Sequence, residues 1–423
     1  MKKQFPALLL TLALLLSLCA CGGAPDNKGQ SSDANAVEPS PDTQAAPKTI
    51  KVGLVCIGDE NEGYTYNFIR GKNDASVMLA AEGIHVEWVV KWNVPESGVC
   101  EDANRELVAE GCQLIFNNSF GFEEFMLKVA AEYPDVQFVA CTNQASRADG
   151  LPNTHNAFAN IHEGRYLAGI VAGMKLQEMI DSGDITPEQA VIGYVGAFPY
   201  AEVISGYTAY FLGARSVCPD VTMKIQFVGS WSDAVAEEKA ASALVDMGCI
   251  LISQHSDTDA PAIVAQSAGI LHTGYNKDMT SVAPDASLVS TRIDWYVYFE
   301  HAIRAVFNGD ELEQDWCHGL DMYAVELTPL NRDLIADGTD EKLDEVKAAL
   351  ADGSLQVFDT STFTVNGVPL EHAYAIDTDG DFVPDTEEAV FDGAFHESHF
   401  QSAPYFTLDI DGIDRTATRR RGR

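Results

Sequence analysis

From Lys48 onward the sequence alternates continuous apolar runs with amphipathic stretches of helical period, and few architectures satisfy that order. TIKVGLVCI, IHVEWVV, QLIFNN and VQFVAC are separated by expected helices over about 64–82, 98–110 and 122–133. Strands that are apolar on both faces belong in parallel sheets with helices on either side. After a helix over about 162–180 the rhythm restarts with AVIGYVGA, TMKIQFVG, ILISQHS and GILHTGYN, spaced by helices near 201–216, 234–247 and 258–268. LVSTRID with its following helix to Asn308, then MYAVELTPL and the LQVF stretch, read as returning strands. The fold class is therefore α/β, with two Rossmann-like lobes built on parallel sheets. The first lobe takes 48–157 plus about 283–310, the second takes 158–282 plus about 311–365, and 366–423 is an acidic extension with a basic tail. Ligands of open α/β sheets bind beyond the carboxyl ends of the strands, so a cleft between the lobes is the expected site.

The charge balance narrows what that cleft holds. With 27 Lys+Arg against 63 Asp+Glu the net charge is −36, which excludes nucleic acid as a partner because the surface repels a phosphate backbone. No G-x-x-x-x-G-K-[ST] or G-x-G-x-x-G run is present, so a phosphate-binding loop is not expected either. The turns after the strands carry Asp59, Glu60, Tyr64 and Asn67, then Asn118, Ser119 and Phe120, then Tyr200 and Glu202, and finally Trp231, His255, Asp257 and Asn276. Aromatic rings beside carboxylates and amides suit a neutral heterocycle or its glycoside. The alternative for any one ring is to cap a lobe's core, and for Glu202 to charge the first turn of its helix favourably.

The first 47 residues read as an address and a tether. Lys2 and Lys3 precede the apolar run FPALLLTLALLLSL, which is too short to span a bilayer and has the order of a secretory signal over 1–21. Leu18-Cys19-Ala20-Cys21-Gly22 resembles the lipobox of bacterial lipoproteins, which implies lipidation of Cys21 and a lipid anchor on the extracytoplasmic face of the cell membrane. Residues 22–47, rich in Gly, Pro, Ser and Asp, cannot bury enough surface to offset ordering entropy and form a disordered tether. Beyond Cys19 and Cys21 seven cysteines remain, without C-x-x-C spacing, so buried thiols are expected rather than disulfides or zinc.

The start KVGLVCIGDENEGYTYNFIRG, the crossover NAFANIHEGRYLAGIVAGMKL and the second-lobe entry IGYVGAFPYAEVISGYTAYFLGA resemble the basic membrane protein family of substrate-binding lipoproteins over about residues 48–330. The most specific block is met by Phe158, Glu163, Gly164, Tyr166, Leu167, Ala168, Gly169, Ala172 and Gly173, whose small residues let the crossover helix pack closely on its sheet. The resemblance implies the type I periplasmic-binding-protein fold, service to the permease subunits of an ABC importer, and a purine nucleoside or related base as ligand. It also implies that Asp59 is the first-strand Asp, that Tyr64 stacks on the base, and that Asn118, Ser119 and Phe120 touch the ligand. Asn276 stands in the place of a ribose-binding Asp, and Arg292 in that of a Lys. Those two departures leave a free base or a different heterocycle open. A ligand-sensing receptor of the same fold, coupled to a signalling partner, is the alternative function.

An enzyme is not expected. His255 and Asp257 invite a hydrolase reading, but G-x-S-x-G is absent and i,i+2 spacing does not aim a carboxylate at an imidazole. No cofactor is required for binding and release. Asp377, Asp379, Asp381, Asp385 and Glu388 match positions 1, 3, 5, 9 and 12 of a calcium-loop template, with Phe382 where Gly is wanted, so this loop is either a Ca2+ site or an acidic surface turn.

Overall fold

A computed structural model describes residues 48–142, 150–381 and 383–415. The leader with Cys21, the 22–47 tether and the end of the arginine-rich tail lie outside the described residues. Among those that are described, no helix is long and apolar enough to cross a membrane.

The first sheet begins with β1 (Lys48–Val55), β2 (Ile84–Lys91), β3 (Leu114–Asn117), β4 (Gln137–Ala140) and β5 (Thr154–Ala159). Between them run α1 (Gly63–Ala81), α2 (Val99–Ala109) and α3 (Glu123–Glu132). β3 and β5 are both buried along their whole length; β3 is accordingly a continuous run, whereas β5, which the sequence reading did not expect, buries the polar Thr154, His155 and Asn156. α4 (Ile161–Ser182) then opens the second lobe, followed by β6 (Val191–Gly196), α5 (Ala201–Val217), β7 (Thr222–Phe227), α6 (Ala234–Asp246), β8 (Leu251–His255), α7 (Ala260–Ala268) and β9 (Leu271–Tyr275). The chain continues through β10 (Ser287–Ile293), α8 (Tyr296–Asn308), β11 (Asp315–His318), β12 (Val325–Leu327) and α9 (Thr339–Ala351), and ends with β13 (Ile413–Asp414).

Strand order is β11-β5-β4-β3-β1-β2 in one sheet and β12-β10-β9-β8-β6-β7-β13 in the other, every pair parallel except β10 with β12. Two returning strands are thereby exchanged relative to the expected lobe boundaries. β10, expected in the first lobe, pairs with β9 and belongs to the second; β11, a strand the sequence reading did not expect within its second-lobe range of 311–365, pairs with β5 and closes the first. The reason is packing: α8 buries Tyr298, Phe299, Ala302 and Ile303 against the first lobe, so the chain crosses after β10 and not before it. Together with the β5–α4 and β11–β12 passages, this hinges the lobes on more than one strand of chain. The LQVF stretch is no strand; its Val357 and Phe358 are core residues in a turn. α9 has no counterpart in the sequence expectation.

The small residues of α4 act in two directions. A Cβ at Gly164 would lie 2.3 Å from Thr291 Oγ1 on the sheet, whereas at Gly169 it would lie 2.0 Å from the Tyr210 carbonyl of α5. Close approach to the sheet therefore explains only the first of them; helix against helix explains the second.

The segment from 366 is not an appended extension. Phe395, Tyr405, Phe406 and Ile410 join Phe358 and Phe363 in the second-lobe core, the Phe358 and Phe406 rings stacking 4.6 Å apart. β13 then adds to the sheet edge beside β7. Most acidic residues of this segment are exposed, Glu397 being buried, while Phe395, Tyr405 and Phe406 face in, so composition alone concealed a core element.

Candidate functional site

The carboxyl ends of β1, β3 and β4 meet those of β6, β8 and β9 across one cleft. Ile57, Tyr64, Ser119, Phe120, Cys141 and Thr142 from the first lobe and Glu202, Trp231, His255, Asp257 and Tyr275 from the second line a cleft with about 390 Å³ of space between atoms, its mouth included. Only about 30 Å³ of that admits the centres of water-sized molecules, so the cleft is nearly shut.

Contacts between the lobes hold it so. Gly63 N donates to the Asp257 carbonyl at 3.1 Å, and Asn67 Nδ2 donates to Asn276 Oδ1 at 2.9 Å. Phe120 and Tyr200 stack with ring centres 5.3 Å apart and planes 18° from parallel. Glu62 and Asp257, one from each lobe, are hydrogen-bonded to each other through their carboxyl groups. Glu62 also caps α1, accepting from Tyr64 N at 2.7 Å and Thr65 N at 2.8 Å. Burial raises the Glu62 carboxyl above the usual carboxylate range. Burial and then the Glu62 charge hold Asp257 well above it, against the Asn276 amide that donates to Asp257 Oδ1 at 2.8 Å. Two buried acids in contact cannot both ionise cheaply, so the closed cleft keeps a proton between them.

The second-lobe wall is built on a buried cation. The Arg165 guanidinium on α4 lies 3.6 Å from the centre of the Tyr275 ring and donates to the Gln254 carbonyl at 2.9 Å. His255 packs on the same Tyr275 ring and pairs with Glu202 at 3.1 Å. Burial, reinforced by the Arg165 charge, pushes His255 down to about 4, so the imidazole is neutral near pH 7 although Glu202 opposes the shift. The hydrolase pairing is not formed: His255 takes Glu202, and Asp257 is engaged with Asn276 and Glu62.

The structure brings Tyr64, Ser119, Phe120, Glu202, Trp231, His255 and Asp257 to the cavity wall. Tyr64 Oη donates to the Cys141 carbonyl at 2.8 Å, which fixes its ring. The other expected residues sit elsewhere. Asp59 lines an outer groove and accepts from Asn61, and Glu60 is exposed. Asn118 is buried beneath the site, accepting from Ile57 N and donating to Thr65 Oγ1 at 3.1 Å. Asn67 and Asn276 tie the lobes together, and Tyr200 lies beside the cavity in the Phe120 stack. Arg292 is a correction: β10 turns it away from the cleft to Glu326 at 2.8 Å, where Arg70 of α1 also binds Glu326 and reaches Asp294 at 3.0 Å. It serves a hinge ion network. Cys141, Thr142 and Ile57 are outside the expected set, whereas Tyr275 lies in the expected Tyr275-Asn276 turn; the strand-end rule that finds the other turns also reaches the end of VQFVAC, where Cys141 and Thr142 lie.

Of the acidic loop, Asp377, Asp379 and Asp385 bring carboxylate oxygens within 4.8 Å of one another. Glu388 instead pairs with His372 at 2.9 Å and accepts from Ala373 N, and Asp381 accepts from Val383 N, so neither joins the cluster.

The family model described as PnrA-like ABC transporter substrate-binding protein (Bmp) matches residues 72–356. A purine-binding protein of Brucella abortus is 32% identical over 314 residues, 74% of this chain and 84% of that protein. A Haloferax volcanii protein, named as a candidate glucose-binding component of an ABC transporter, is 35% identical over 50% of this chain and 51% of its own length. A solute-binding protein structure from Aeropyrum pernix superposes with a TM-score of 0.60 at 16% identity, covering 73% of this chain and 93% of that one, which shows the shared fold.

Proposed function

The chain belongs to the Bmp family of PnrA-like ABC transporter substrate-binding proteins, and we propose that it captures a purine base or nucleoside between its lobes and delivers it to an importer's permease. One observation carries the reading: a nearly shut cleft into which both lobes contribute rings, Tyr64 and Phe120 from one and Trp231 and Tyr275 from the other. A ligand held there touches both lobes only in the closed form, so its differential affinity shifts the population towards closure. Ser119, Thr142, Glu202 and Asp257 put acceptor oxygens on the cavity wall, the Ser119 and Thr142 hydroxyls donating to Glu96 Oε1 and Asn156 Oδ1, and the neutral His255 adds no charge. Binding and release at this cleft require no cofactor, and a calcium ion on Asp377, Asp379 and Asp385 would be structural.

In this reading the protein works on the extracytoplasmic face of the membrane, anchored through acylated Cys21. A thermal-shift screen over purine bases, nucleosides and sugars tests the ligand class, because a ligand at about 100 times its Kd adds about 2.7 kcal/mol of stability. Stabilisation by glucose without any by purines would replace the ligand with that named for the Haloferax relative. Incorporation of labelled fatty acid that survives Cys21→Ser would take the lipid off Cys21.

A further inference from the structure

We propose that the C-terminal segment builds a second chamber opening onto the cleft, and that the natural ligand is a ring carrying a bulky uncharged substituent which occupies it. The inference rests on the receptor reading above and concerns what the receptor selects. The enclosed cavity is narrow, with about 30 Å³ open to water-sized centres, whereas an adjoining chamber offers about 240 Å³. Phe120, Thr142 and Glu202 line both, so the two adjoin at these side chains. A ligand seated among the cavity rings has room to grow in that direction.

The far wall comes from beyond residue 366, supplied by Ala375, Val383, Pro384, Ala403, Tyr405 and Thr407. The family match ends at residue 356, so this wall is a property of the chain itself and not of the matched region. It is also prebuilt. Ser402 N donates to Asp315 Oδ2 at 2.9 Å, Asn156 Nδ2 donates to Ser402 Oγ at 2.7 Å, and Glu397 accepts from the Tyr405 and Phe406 amides at 2.7 and 3.0 Å. The segment is thus fixed to the first lobe through Asp315 and Asn156 while its aromatics sit in the second-lobe core.

The lining decides the chemistry. Proline, alanine, valine and aromatic surfaces dominate, favouring an apolar group with a few hydroxyls. Glu202 and Asp377 oppose an anion, and the guanidinium at the chamber, Arg415, is already paired with Asp409. A phosphorylated substituent is therefore rejected and an uncharged one accepted.

Calorimetric titration of the whole chain with adenine, adenosine, N6-benzyladenine and 9-benzyladenine tests this, using wild type, Thr407→Trp and Val383→Trp. Val383 is exposed at the chamber rim, so its replacement leaves the core alone should Thr407→Trp fail to fold. The expected result is that a benzyl compound binds wild type at least tenfold more tightly than adenine, and that a filling variant cancels the gain while leaving adenine unchanged. Adenine binding with no gain from either benzyl group, or a gain that survives both variants, overturns the chamber and leaves the purine reading intact. No binding by any of the four overturns the purine reading and the chamber with it.

Discussion

The contact between Glu62 and Asp257 makes closure depend on a proton, and replacing Asp257 by Asn isolates that dependence. With the lobes apart, each carboxyl loses the other acid and the burial that the closed cleft imposes, so it returns towards the ordinary carboxylate range. In the closed form burial, and for Asp257 the neighbouring acid as well, raise both, so closing takes up a proton. The sign follows from linkage: the contribution to closure is complete below the open-form values and is lost as pH rises through the raised closed-form value. Within that window each pH unit costs the closed form about 1.4 kcal/mol, a tenfold loss of ligand affinity for one proton taken up. In Asp257→Asn the side-chain amide donates to Glu62 with no proton required, so the slope flattens and affinity at high pH exceeds that of wild type. Titrating the bound purine across about pH 5 to pH 8, with small-angle scattering to report closure, reads both effects. A wild-type affinity independent of pH, or an Asp257→Asn slope equal to that of wild type, refutes the shared proton.

Phe120→Ala removes a ring of the cavity wall together with its stack on Tyr200, and a loss of about 1–3 kcal/mol in ligand binding is expected by calorimetry, the range for stacking a base on an aromatic side chain. Gly169→Ala forces a methyl group against the Tyr210 carbonyl and should lower the stability measured by urea unfolding by about 1–3 kcal/mol or more; an unchanged midpoint would contradict the close helix crossing. Arg292→Ala leaves the cavity untouched because its partner is Glu326, so ligand affinity is expected to stay within about twofold while stability falls by the roughly 0–1 kcal/mol typical of a partly exposed pair. A large affinity loss there would put Arg292 back in the site.

Where a residue's role is set by local pattern, the sequence already revealed it. A strand buried on both faces and filled with apolar side chains shows in the sequence, so LIFN declared itself and the turn beyond it located Ser119 and Phe120 at the cleft, whereas THNAFA, equally buried but opening on Thr154, His155 and Asn156, did not. Roles set by partners distant in the chain were not visible. Which sheet β10 and β11 join is not written in their own residues, and the burial of α8 on the first lobe places the crossing between them. The 366–415 segment hid its aromatics among acids, because short hairpins have too few residues per strand for an alternation to show.

Position 276 illustrates how partners outweigh type. Read alone, Asn in place of a ribose-binding Asp suggests a weaker grip on a sugar. In the folded chain Asn276 has φ of 64°, a left-handed conformation that Asn tolerates better than most residues, and its side chain faces two groups of opposite need. Its Nδ2 donates to Asp257 Oδ1 while its Oδ1 accepts from Asn67 Nδ2, a pairing that only an amide can make in both directions. An aspartate there would offer no donor to Asp257 and would place a third carboxylate beside Glu62 and Asp257, raising the proton demand of closure further. Asn276 is thus explained by the acid pair that latches the lobes, and the weaker hold on ribose is not needed to account for it.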